Sequence, residues 1–146
     1  MASGQVSAAI EDFLIAHWLA TPLLLENKGA TENGISMPPD TAMYFVEVGF
    51  TGKFYGQVSL GASRQADNRW DETGVLFLSV FAPIGDGSRI ARTHSKNLAD
   101  LFRGLLLLGD NLEFTDASIG EGGKSDKYNG AYYMIPVDVD WRRVEA

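Results

Sequence analysis

The chain contains no cysteine. That excludes disulfides, zinc–thiolate centres and thiol nucleophiles, and it fits a reducing compartment. Histidine is nearly absent too: His17 and His94 are the only two, without the close spacing of a helical zinc site. Long apolar runs are missing. The leucine run Leu105–Leu108 falls far short of the roughly 20 residues that a membrane-spanning helix needs. Positive charge is in the minority, with 12 Lys and Arg against 19 Asp and Glu and a formal net charge of −7. A dedicated nucleic-acid binder carries a basic face, and docking on anionic lipid needs one as well, so neither class is expected. The opening stretch "MASGQVSAAIEDF" has no basic cluster and brings in Glu11 and Asp12 early, which reads against a secretory signal.

What the sequence does contain is enough apolar material for one core. With 146 residues and 45% hydrophobic content, residues 1–146 read as a single domain. A domain of this size removes roughly 68–70% of its unfolded surface from water.

The periodicities change along the chain. Residues 5–19 place Val6, Ala9, Ile10, Phe13, Leu14 and His17 or Trp18 on one helical stripe, with Pro22 beyond its end. Residues 23–27 predict a short strand. Residues 28–42 are a loop by their Gly, Pro, Asn and Thr content. In 43–50, Tyr44, Val46, Val48 and Phe50 alternate as a strand, and 57–65 are expected to continue the sheet. Residues 66–72 predict a turn. "GVLFLSVFAP" (74–83) is apolar on both faces, the mark of a central strand or one facing a partner. Ser88 is a fitting N-cap for a helix over 89–105, with Ile90, His94, Leu98, Leu101, Phe102 and Leu105 on its apolar face. Strands over 111–119 and 131–141 close the chain. Pro136 lacks a backbone donor, which predicts an edge position for the last strand. The expected fold is α+β: a mostly antiparallel, mixed sheet with two helices packed on one face and a long C-terminal β-hairpin.

Few stretches of the chain could carry chemistry. "SIGEGGKSDKYNG" (118–130) holds Gly123-Lys124-Ser125, the end of a phosphate-binding loop. The first glycine of that motif should stand at 118, where there is a serine, and a strand pattern follows instead of a helix. No nucleotide is implied, and the stretch reads as a hairpin tip. Asp138 and Asp140 lie on one strand face about 7 Å apart. With a third oxygen ligand they could hold a divalent cation. The ordinary reading is a solvated face or a salt bridge across a subunit contact. Glu11–Asp12 and Asp71–Glu72 are sequence neighbours that point in different directions. No serine sits in G-x-S-x-G, and Gly61-Ala62-Ser63 lacks the flanks. Nothing requires an enzyme, a metal or a cofactor. The remaining unusual feature is aromatic: Phe54, Tyr55, Trp70, Tyr128 and Tyr132 fall in or near expected loops, with Arg64 and Arg69 close by. Aromatics with arginine are typical interface material.

Taken in order, these segments resemble the tail terminator, or tail completion, proteins of long-tailed bacteriophages and gene-transfer particles. The resemblance rests on the helix ending near "HWLATPLLLEN", the strand in "MPPDTAMYFVEVGF", and "GVLFLSVFAPIGDGSRIARTHSKNLADLFRG", where a strand ending in aromatic-Ala-Pro precedes a glycine turn and a helix. It ends with the hairpin from "NLEFTDASIGEGG" to "YYMIPVDVDWR". It spans residues 5–143, and order and spacing carry it rather than any one motif. It implies a non-enzymatic virion protein, made in the host cytoplasm and located at the head-proximal end of the tail. Six copies would form a ring that caps the tail tube, stops its polymerisation and meets the head–tail connector. DNA would pass through the lumen without specific binding, and an acidic ring suits that passage. Position and polarity make Arg64, Arg69, Trp70, Lys124, Lys127 and Tyr128 the candidate subunit or tube contacts. A neck or connector protein is the neighbouring alternative. A small α+β ligand-binding domain or enzyme is the alternative from another class, and it would need a pocket with converging polar groups.

Overall fold

A computed structural model describes residues 4–25, 43–57, 70–125 and 132–145. Two helices and seven strands are described: α1 (Gly4–His17), β1 (Leu23–Leu24), β2 (Phe45–Gln57), β3 (Trp70–Pro83), α2 (Arg89–Leu101), β4 (Leu106–Leu107), β5 (Leu112–Ile119), β6 (Gly123–Ser125) and β7 (Tyr132–Glu145). The sheet order is β1-β2-β3-β7-β5-β4, with β6 also paired to β7. Among the described strand pairs, only β1–β2 is parallel. The fold is α+β with a mixed, mostly antiparallel sheet.

Strand alternation decides the two faces. Val80, Leu78, Leu76 and Gly74 of β3 stand opposite Ile135, Val137, Val139 and Trp141 of β7. Val46 and Val48 of β2 stand opposite Val80 and Leu78. These side chains form one core with Val6, Ile10, Leu14 and Trp18 from the α1 end and Ala91, Leu98 and Phe102 from the α2 end. Both helices therefore cover the same face. Phe102 joins the layers: its ring is 5.7 Å from Phe13 of α1 and 4.9 Å from Phe114 of β5. Burying each such large side chain contributes about 1.5–3 kcal/mol.

The opposite face holds a smaller cluster at one end. Phe45 and Phe81 stack at 4.7 Å, and Tyr132 stands edge-on to both. Tyr132 is thus a core residue and not a surface aromatic, because alternation turns it inward beside Met134.

Several expectations are corrected. Residues Trp70–Glu72, read as a turn, open β3, which pairs from Trp70 with Gln57 and Glu145. The last helix stops at Leu101, and the chain then turns through Gly104 at a φ of 69°. The buried stripe of α2 runs through Ala91, Ser95 and Leu98, leaving Ile90 49% exposed. The small Ala91 and Ser95 let the helix lie close to the sheet. The Ser95 hydroxyl is satisfied by donating to the Ala91 carbonyl at 2.8 Å. Ser88 occupies the N-cap position, but its hydroxyl makes no cap bond and accepts instead from Arg92 Nε.

Pro136 is not on an edge strand, since β7 has partners on both sides. It pairs with Ser79 on one side. On the other, its carbonyl accepts from the Gly120 amide at 2.8 Å, between the end of β5 and the start of β6. The amide and carbonyl of one strand residue point the same way. The missing donor therefore faces the break between β5 and β6, and the β3 ladder loses nothing. Gly120 is required there, because a Cβ would meet the proline ring at 2.7 Å. The loop expected over 28–42, and the strand continuation over 58–65, lie outside the described residues.

Candidate interaction surfaces

The Gly123-Lys124-Ser125 triplet of the glycine-rich stretch lies in the sheet. Gly123, Lys124 and Ser125 form β6 and pair with Met134, Tyr133 and Tyr132. A strand at this position offers no helix N-terminus for a phosphate. Lys124 is exposed there. Trp70 lies at the far end of β3, in register with Gln57 and Glu145. Of the other candidates, Arg64, Arg69, Lys127 and Tyr128 lie outside the described residues.

Two larger surfaces come from the layering. The first is the outer side of α2. Arg89, Arg92, Lys96 and Arg103 are exposed, and Asp100 is the one acid among them. Asp100 binds Lys96 at 2.5 Å and Arg103 at 3.2 Å, and these cations hold its carboxyl below the usual range. Arg89 and Arg92 have no acidic partner among the described residues.

The second surface is the sheet face away from the helices. Past the Phe45–Phe81 cluster, Phe77 is 37% exposed at its centre. Its neighbours across the strands are Gly49, which has no side chain to cover it, and Asp138. Asp140 follows on the same face, opposite Val75. Among the described residues, neither aspartate has a cationic partner. The nearby Arg142 is engaged elsewhere: its Nε donates to Asp71 Oδ2 at 2.7 Å, its Nη2 binds the same oxygen, and Nη1 lies 3.9 Å from Glu113. No group of three or more His, Asp or Glu side chains among the described residues is arranged to hold a metal ion.

A solvent-open groove of about 390 Å³ runs between α2 and β5, with Phe102, Phe114, Ala117 and Val139 among its lining residues. The charged groups on it are Lys96, Arg103, Asp100 and Asp116. The first three already bind one another, so they do not converge on a ligand. No helix among the described residues is long and apolar enough to cross a membrane.

His94 is held between aromatic rings at the junction of α1, α2 and β2. Trp18 lies 5.7 Å away and Tyr44 5.9 Å away, both edge-on. The Tyr44 hydroxyl donates to the Asp86 carboxylate, and the Trp18 indole donates to Thr21. The His94 Nδ1 is buried with no hydrogen-bond partner among the described residues. Burial lowers the pKa of this imidazole from its ordinary value of 6.5. The unfolded chain then binds more protons than the folded one just below pH 6.5, so stability is retained above that pH and lost as pH falls toward the lower folded value. His94→Phe keeps the ring contacts and removes the titration. Thermal melts between pH 5 and 8 are expected to decline in acid for the parent chain and less steeply for the variant. Equal slopes would mean that other groups set the acid limb.

No protein-family model and no curated protein matches the chain. A solved structure is similar over its whole length, with a TM-score of 0.65 and 25% identity, covering 100% of this chain and 97% of that one. That likeness bears on the fold: helices and sheet recur in the same arrangement across nearly two full chains.

Proposed function

We propose that the chain is a structural subunit of a phage-like tail that caps the tail tube as a ring. One observation carries the reading. The order of segments resembling tail terminators folds into two layers, with cations on the outer helix and an apolar patch beside two acids on the sheet face away from the helices. Such a subunit carries two different sticky faces, and heterologous faces generate rings when their rotation closes. Growth of the tube would stop because the ring's outer surface does not repeat the surface to which it docks. This is binding without chemistry.

The test is mass by light scattering across concentration, with negative-stain images of the same fractions, alone and with purified long-tailed phage tail tubes. Rings with a central hole, or tubes capped at one end, are the expected result. Binding to the head connector but not to tubes would move the subunit to the neck. A monomer that ignores both would overturn the reading.

A further inference from the structure

The ring reading leaves open which surfaces meet. We infer that the outer face of α2 in one copy docks on the sheet face away from the helices of the next, and this inference rests on that reading. The occupant of the sheet face is therefore a second copy of this chain.

The two faces fit each other in charge and polarity. On the helix side, Arg89 and Arg92 are exposed cations with no acidic partner among the described residues, and Ile90 beside them is 49% exposed. On the sheet side, Asp138 and Asp140 lack a cationic partner among the described residues and flank the 37% exposed Phe77. The two faces are complementary: cations and an aliphatic side chain on one, carboxylates and an aromatic ring on the other. Opposite charges steer such surfaces together and suppress wrong pairings, while the apolar centre contributes affinity.

The chain cannot make this contact within itself. α2 packs its Ala91–Ser95–Leu98 stripe on one side of the sheet, and Phe77, Asp138 and Asp140 stand on the other. The two complementary surfaces lie on opposite sides of a two-layer molecule. That is the geometry of a head-to-tail contact rather than a two-fold dimer, in which the same patch meets itself. A chain with net charge −7 would otherwise repel its copies. Concentrating unpaired cations on one helix gives an acidic protein a local means of self-association.

The experiment is a charge swap. One variant carries Arg89→Glu and Arg92→Glu; a second carries Asp138→Lys and Asp140→Lys; a third carries all four. Circular dichroism and melting temperature establish that each is folded. Oligomer mass is then read across concentration at low and high salt. Each two-site variant should need a concentration roughly 100-fold higher than the parent to assemble. The four-site chain, and a one-to-one mixture of the two-site variants, should recover assembly. Folded two-site variants that form rings like the parent would overturn the pairing and leave the ring reading standing. Variants that keep the ring but lose tube binding would also overturn it, by assigning these faces to the tube. A parent chain that never assembles, with tubes or without, removes both.

Discussion

Trp141→Ala is expected to destabilise the chain by about 3–5 kcal/mol, roughly 10 °C in melting temperature. Trp141 is 2% exposed and lies on the helix-covered face of β7, opposite Gly74 of β3. The glycine leaves a notch that the indole fills. A Cβ at position 74 would stand 2.4 Å from the Trp141 ring and 2.3 Å from the Thr51 carbonyl oxygen. Gly74→Ala is therefore expected to cost about 1–3 kcal/mol or more through overpacking. The two changes should not add. Removing the indole relieves one clash and leaves the carbonyl clash, so the double variant should be less unstable than the sum. Urea titrations of the four chains measure this coupling. Strict additivity would mean that the carbonyl clash alone sets the glycine requirement. A cost below about 1 kcal/mol for Trp141→Ala would show that the indole does not close this end of the core.

Arg142→Met is the second large effect, expected at about 2–4 kcal/mol. The Asp71 side chain is only 4% exposed, and Arg142 delivers both Nε and Nη2 to one of its oxygens. Stripping away the guanidinium leaves a carboxylate in a site largely closed to water. The range lies below that of a fully buried pair because Arg142 is 39% exposed and partly screened. Asp71→Asn in the same background should recover a substantial part of the loss, since the neutral amide no longer needs a counter-charge. By contrast, the Lys96–Asp100 pair on α2 is open to water and screened, so it contributes little. The comparison is made at 1 M salt, where the surface pair fades and the Asp71–Arg142 effect should persist. An Arg142→Met cost that vanishes in salt would place this pair with the surface ones.

Much of the fold was legible because its signals are local. Alternation in Leu76, Leu78 and Val80, and in Ile135, Val137, Val139 and Trp141, assigned these side chains to one face of each strand, and the register joins them in one core. The stripe Val6, Ile10, Leu14 marked α1. Other features were hidden because they depend on partners far away in the chain. Pro136 looked like an edge residue, since a sequence cannot reveal that the neighbouring strand breaks opposite it. Tyr132 looked like surface because it follows a polar stretch, yet Phe45 and Phe81 receive it. The Asp71–Arg142 pair spans 71 residues and leaves no periodic trace. The interaction surfaces follow the same division. Arg89 and Arg92, like Asp138 and Asp140, were visible as charged positions. That they stand on opposite sides of the molecule emerged only with the layering.

Sequence alone determined the types of most elements, the alternation along the long strands, the absence of thiol chemistry and the acidic balance. Each of these follows from composition or from a repeat of two or nearly four residues. Tertiary structure decided that β7 lies between β3 and β5, that α2 buries its Ala91–Ser95–Leu98 side, and that Asp138 and Asp140 share a sheet face with the half-exposed Phe77. Those outcomes depend on which strands pair and how closely a helix can approach them, and long-range packing settles both.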